Sequence, residues 1–414
     1  MNRAWGVRGV LVAILMLVAS LAQSGATLRV ETPAGLRSAL AQARPGTVIE
    51  LAGGEYGKLE MRRARFTAAA PLILRSQTAD DPARFSGLDM RRVAHVTLDG
   101  VVFDYTFAPG DRLRHRPFQM RDITGVTIRR ALFDGDVARG LGPADNGFGS
   151  GFGFWVRGGT GLTIEASEIR GFYKGIIVNT VDDVVLRGND LHSLRMDGMN
   201  LAAVQGVRIE DNAIHNFRRS PNSKDHADMI QFWTKGTDRP SRDVVIRDNL
   251  LASGDGLFTQ SIFIRNQEVD QGRAGRAMFY RNFTIEQNII LNAHLHGITV
   301  GETEGLVIRN NTLARNARSV GPRDSRNLYT PTIRVAEGAR DVTIQANVTP
   351  RIVGYDGQPS WRVARNFTIQ HEPRGRGGFY GAVFTGDPAV PAGFGYRLGG
   401  QLDGAGLGAG RLQP

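Results

Sequence analysis

Apolar and polar residues alternate in short bursts along most of this chain, and the bursts recur. VTLDGVVF begins at Val96, VTIRRALF at Val126, LTIEASEI at Leu162, VVLRGNDL at Val184 and VRIEDNAI at Val207. VVIRDNLL follows at Val244, FTIEQNII at Phe283, LVIRNNTL at Leu306, VTIQANV at Val342 and a weaker FTIQ at Phe367. Each phrase has the two-residue period of a strand with one buried face. The third residue of every phrase is Leu or Ile, from Leu98 to Ile369. Successive anchors lie 22 to 25 residues apart, or 30 to 39 where an insertion intervenes.

A second short strand precedes most phrases: GFWV, GIIV, GMNL, MIQF, SIFI, GITV and TIRV. Two or three short strands in each ~23-residue turn predict an all-β solenoid, a right-handed parallel β-helix whose coils bury one continuous column of Ile, Val and Leu. Asn stands three residues past many anchors (Asn189, Asn212, Asn249, Asn288, Asn311, Asn347) and is expected to form a structural ladder in successive bends. The open end of a solenoid needs a cap. Pro33 to Arg44 carries a helical stripe of Leu36, Ala39, Leu40 and Ala43, ended by Pro45-Gly46, and would cover the first coil. The expected organisation is a signal peptide at 1–26, the β-helix at 27–371 and a Gly/Pro-rich loose cap or tail at 372–414.

Stacking the second strands by their distance from the anchors gives two apolar columns, so the residues between them point outward. The outward column reads Trp155, Ile177, Asn200, Gln231, Phe263, Thr299 and Arg334, and the next one Arg157, Asn179, Ala202, Trp233, Arg265 and Gly301. One segment, KDHADMIQFW from Lys224 to Trp233, is more polar than its neighbours. Its residues continue a patch of Lys174, Asp197, Asn200, His226, Asp228, Gln231, Trp233, Arg265, His294 and His296. The insertions at 134–152, 218–224, 235–243, 266–281 and 316–330 are expected to wall this patch as a groove. Trp233, Gln231, Asn200 and Arg334 are the expected substrate contacts. Asp197 and Asp228 fall on neighbouring coils about 4.8 Å apart. Such a pair calls for a cation, a shared proton, or bonds to local groups such as Lys174. Ca²⁺ with Asn200 or Gln231 as carbonyl ligand is the cofactor this pair would take.

Charge narrows the partner. The chain has a formal net charge of +11 and no cysteine. Arg3 and Arg8 precede a 13-residue apolar run, Val10 to Ala22, too short to span a bilayer comfortably and followed by small residues. A secretion signal, a secreted or periplasmic location and no stable membrane insertion are expected. The mature chain would keep +9, since the signal removes two arginines and no acid. An acidic polysaccharide is the expected partner; no nucleic-acid motif is present, and a monomer is expected.

The capping helix, the following RPGTVIELAGGEY and the VTI-x-x-N coils resemble the pectate-lyase-like right-handed β-helix superfamily. The opening is similar to the lyases that include alginate lyases and chondroitinase B. The resemblance covers roughly residues 27 to 370 and implies a long groove for an acidic glycan, with Lys, Arg and in many members calcium at work. Mannuronan epimerases share the fold, but their DPH-type motif is not found here. The leading expectation is a polysaccharide lyase cleaving a uronate-containing glycan by β-elimination. His226 would act as base, His294 or His296 would assist, and Arg265 with Lys174 or Ca²⁺ would neutralise the carboxylate. A C5-epimerase, a glycoside hydrolase and a non-catalytic glycan-binding solenoid are the alternatives.

Overall fold

The structure, a computed structural model, describes residues 25–370 and 378–414. The expected signal lies, up to residue 24, outside the described residues. The phrases form a right-handed parallel β-helix. Each coil supplies up to three strands. Lys174–Arg187, for example, runs through a bend to give the first two, and Asp190–His192 gives the third. Stacked coils make a 21-stranded sheet that bends into two faces, and a 13-stranded sheet that closes the prism. The anchors pair in register from coil to coil: Leu98 with Ile128, Ile164, Leu186, Ile209, Ile246, Ile285, Ile308 and Ile344. All are buried. Gly175 and Gly198 open their strands because a Cβ there would lie 2.5 and 2.6 Å from a carbonyl oxygen of the next coil.

Two polar ladders hold the register. The first is the asparagine column, extended by Asn366. Each Asn donates from Nδ2 to Oδ1 of the next Asn at 2.9–3.0 Å, and that Oδ1 also accepts the backbone N–H of the first. Nδ2 also reaches a strand carbonyl, as Asn249 does to Ile209 at 2.9 Å. Buried donors and acceptors are thereby satisfied. The left-handed residue in this bend is the one before the Asn. Asp211, Asp248, Gln287, Asn310, Ala346 and Arg365 take φ of 56°, 56°, 58°, 53°, 55° and 55°.

The second ladder is ionic. The residue after each anchor alternates in sign on the middle face: Asp99, Arg129, Glu165, Arg187, Glu210, Arg247, Glu286, Arg309. Ion pairs form at 2.9 Å (Arg129–Asp99), 2.6 Å (Arg187–Glu165) and 3.1 Å (Arg247–Glu210). A slip of one coil would set like charges opposite each other, so the pattern specifies register more than it adds stability.

The N-terminal helix spans Pro33–Gln42, with Pro33 in its first turn and the Thr32 side chain accepting the Gly35 N–H at 3.1 Å. It buries Leu36 and Ala39 against the first coil. The C-terminal segment differs from a loose cap. Gly378–Phe379 adds a parallel strand beside Phe367–Gln370. Val383, Phe384, Phe394, Tyr396 and Leu412 then pack on the outer face of the third sheet, over Ile289, Leu291, Ala314 and Val348. The reason is compositional: those outward positions are apolar and need cover. No helix among the described residues is long and apolar enough to cross a membrane.

Candidate active site

The outward column on the first face is paired as the strand pattern predicts: Trp155, Ile177, Asn200, Gln231, Phe263, Thr299 and Arg334 are successive register partners. Loops stand on both edges of this face. At the leading edge, Asp145 of the 134–152 insertion and Asp225, just past the 218–224 insertion, both bind the buried Arg195, at 2.7 and 2.8 Å. Asp225 also accepts from the Tyr173 hydroxyl at 3.3 Å. The residue carrying the His226 imidazole is thus held through its neighbour. At the trailing edge, Thr234 Oγ1 donates to Asn266 Oδ1 at 3.0 Å and the Gly236 N–H to Glu268 Oε1 at 2.9 Å, tying the 235–243 and 266–281 insertions together.

Beneath the groove lies a closed polar network. Asp197 and Asp228 are both fully buried on adjacent coils. Lys174 Nζ meets Asp197 Oδ2 at 2.6 Å, and Asn200 Nδ2 donates to the same oxygen at 2.9 Å. Asn200 also bonds Gln231 Oε1, and its own Oδ1 accepts Trp233 Nε1 at 2.6 Å. Gln231 Nε2 donates to Asp228 Oδ2 at 2.6 Å. Asp228 N–H donates to Asp197 Oδ1 at 3.3 Å. Burial, with Asp197 alongside, pushes the Asp228 carboxyl up to about 7, against the opposing pull of His226.

This arrangement does not form a Ca²⁺ cage. Calcium takes six to eight oxygens. Here the oxygens of Asp197, Asn200 and Gln231 face an ammonium and N–H donors, and Asp228 Oδ1 is the one carboxylate oxygen of the pair without a partner. Among the described residues no group of three or more His, Cys, Asp or Glu is placed to hold a metal.

His226 stands above this layer. Its side chain is 61% exposed, and its Nδ1 is 3.6 Å from Asp228 Oδ2. The nearby carboxylate holds the imidazole above its ordinary value, although the gap is longer than a formed hydrogen bond. His226 lines a cleft of about 540 Å³ with Arg219, Phe258, His294, Arg323 and Tyr329. His294 stacks on Phe258 at 6.0 Å and on His296 at 5.3 Å. Burial pushes His294 down to about 3 and His296 to about 4, so both are neutral near pH 7. His296 Nδ1 lies 2.8 Å from Thr299 Oγ1. His296 also lines the next cleft, about 560 Å³, with Arg265 and Arg334, so the two form one groove.

The expected residues therefore sort into layers. His226, His294, His296 and Arg334 line the groove. Lys174, Asp197, Asn200, Gln231 and Asp228 form its floor, bonded largely to one another, which makes Asn200 and Gln231 supports of the surface rather than free substrate ligands. Trp233 is pinned to that floor by its Nε1. Arg265 is held by Asp270 at 2.7 Å, which weakens it as a carboxylate neutraliser. Sequence patterning does not reach Arg219, Arg323 and Tyr329, because inserted loops carry no strand register; Phe258 stands in the same column as His226 and His294 ahead of the strands. Arg219 is 4.3 Å over the Phe258 ring, and neither it nor Arg323 has a carboxylate partner among the described residues.

No protein-family model matches the sequence, and no curated protein matches it. Solved structures with comparable winding include the PL6 family alginate lyase AlyGC, at 15% identity and a TM-score of 0.49, covering 94% of this chain and 57% of that one. This chain therefore spans little more than half of that protein's length. PfbA, a surface adhesin of Streptococcus pneumoniae, gives 11% identity and a TM-score of 0.48 over 82% of this chain and 85% of its own. The periplasmic alginate epimerase AlgG gives 12% and 0.42 over 83% and 84%. At these values the likeness decides nothing about activity, and the β-helix assignment stands on the strand registers themselves.

Proposed function

We propose that the protein is an acidic-polysaccharide lyase that cleaves a uronate-containing glycan by β-elimination. The observation that carries this reading is the placement of His226. It is an exposed imidazole backed by a buried carboxylate, in a cleft whose arginines lack carboxylate partners among the described residues. Uronate elimination needs those parts. The proton at C5 is weakly acidic until the neighbouring carboxylate is neutralised, which is the task of Arg219, Arg323 or Arg334. His226 takes the C5 proton, the C–H electrons form the C4=C5 double bond, and the C4–O bond breaks. The imidazolium so formed can hand its proton to the departing oxygen. Neutral His294 and His296 supply N–H donors beside it without adding charge.

A glycoside hydrolase fits less well. Its two carboxyls must flank the scissile bond, with room for water in an inverting enzyme. Asp197 and Asp228 are both fully buried within the groove floor, and Asp197 is bonded to Lys174. A C5-epimerase shares the proton-abstraction step.

The test is incubation with alginate, pectate, glycosaminoglycans and bacterial exopolysaccharides, followed by ultraviolet absorbance of the unsaturated uronate. Absorbance gained on one acidic glycan and none on neutral ones is expected. No absorbance on any, with C5 inversion seen by product NMR, would replace the lyase with an epimerase.

A further inference from the structure

A second cationic feature lies on the same face, toward the N-terminus. The register partners Arg121 and Arg157 point outward from adjacent coils. Arg116, on the loop that precedes Arg121's strand, joins them. The Arg116 guanidinium sits 4.4 Å from the centroid of Trp155 and that of Arg121 5.2 Å from it. Arg116 also lies 5.7 Å from Phe152, and Arg114 of the same loop 6.0 Å from Tyr173. Trp155 is buried in a bed of Phe152, Tyr173 and Ile177. Burial, with Arg121 and Arg157 nearby, holds the Arg116 pKa below its ordinary value.

The absence of acids makes the cluster unusual for this protein. In the same outward column, Arg91 is bonded to Asp89 at 2.7 Å and Arg62 approaches it at 3.8 Å. The middle face is an alternating Arg–Glu ladder. Arg116, Arg121 and Arg157 have no ion pair among the described residues. Three like charges gathered without a counter-charge repel one another. The tryptophan face offsets part of that cost through cation–π attraction and holds two of the guanidiniums in place. Such a cluster is preorganised for planar oxyanions, which guanidinium groups bind through paired N–H donors.

We propose that Arg116 and Arg121, seated on Trp155, and Arg157 beside them form a distal subsite for carboxylate groups of the same glycan that His226 acts on; this rests on the lyase reading for its choice of ligand. The Trp155 row is three coils from the Gln231 row, about 15 Å at the spacing of strands. A chain lying along the groove from His226 would reach it only when several sugar units long. The subsite therefore makes affinity depend on length.

The test measures binding without turnover. A His226→Ala protein is titrated calorimetrically with oligogalacturonates and oligomannuronates of two, four and eight units, alone and combined with Arg121→Ala/Arg157→Ala. Loss of octamer affinity by tenfold or more, with dimer affinity changed less than twofold, is expected. An Arg121→Lys/Arg157→Lys version should regain much of the octamer binding. Equal loss for dimer and octamer, or an unchanged octamer affinity, would overturn the subsite. Both arginines are exposed, so an unchanged melting temperature is expected, and it separates binding loss from misfolding. If wild-type protein cleaves no uronan while the arginine-dependent octamer binding persists, the lyase reading falls and the subsite stands.

Discussion

Replacing Asp228 by Asn should make the protein more stable at alkaline pH while impairing its chemistry. The carboxyl is fully buried, and its pKa stands at about 7 against an ordinary 3.8. Between those values the native state binds more protons than the unfolded chain, so stability falls as pH rises through that window. The contribution is intact below 3.8 and lost above about 7. At about 1.4 kcal/mol for each tenfold change in acid constant, the loss amounts to about 4 kcal/mol. The substituted amide would bring no charge to bury. Its carbonyl would keep the Gln231 Nε2 bond, and its NH₂ would supply a donor where Asp228 Oδ1 now has no partner. Gln260, the register partner on the next coil, also has an unpartnered Oε1 to accept it. Urea unfolding at pH 4, 6 and 8 measures the effect. The variant should match wild type near pH 4 and exceed it by several kcal/mol at pH 8. A variant less stable than wild type at pH 8, or a difference independent of pH, would refute the argument that Asp228 is a buried carboxyl under desolvation stress.

Three further outcomes follow from the same geometry. His226 is held above its ordinary value by Asp228, so the form able to accept a proton grows in above pH 6.5; kcat/KM should rise through that region, and Asp228→Asn should move the rise to lower pH. Asn249→Ala removes four ladder bonds and leaves the Ile209 carbonyl and the Asn212 N–H unsatisfied, a loss of about 3–5 kcal/mol by urea unfolding with the groove chemistry unaltered. Chelation with EDTA should leave both melting temperature and turnover unchanged, because the Asp197–Asp228 pair is already occupied by Lys174 and amide donors; a chelator-dependent loss restored by Ca²⁺ would show that the pair opens to a metal.

Much of the fold can be read from the chain because a solenoid repeats its physics. Period-two alternation fixes which side chains point inward, and equal distances from the anchors fix the register, so the pairs Asn200–Gln231 and Thr299–Arg334 follow from counting. The asparagine ladder is legible for the same reason. The Arg–Glu alternation after each anchor is equally visible, but hydrophobic patterning does not weigh sign. The site is less legible. The Lys174–Asp197 contact and the hydrogen bond from the Asn200 amide to Gln231 Oε1 join different coils, and their donor directions, not their residue types, turn an apparent metal pair into a neutralised floor. Arg219, Arg323 and Tyr329 come from insertions of irregular length, and Arg116 from a loop ahead of its strand, where no periodicity assigns a direction. The tail shows a similar limit: its glycines and prolines do not reveal that Phe384, Phe394 and Tyr396 cover the third sheet.

The central claim is that His226 removes a proton from a uronate held by the arginines of its cleft. The most direct measurement is the initial rate of unsaturated-uronate absorbance on the best acidic glycan, for wild type and His226→Ala side by side. The account predicts steady absorbance from wild type and a rate lower by about 10²–10⁴ in the variant, with octamer binding retained. Wild-type rates undiminished by the substitution would contradict it and place the base elsewhere in the groove.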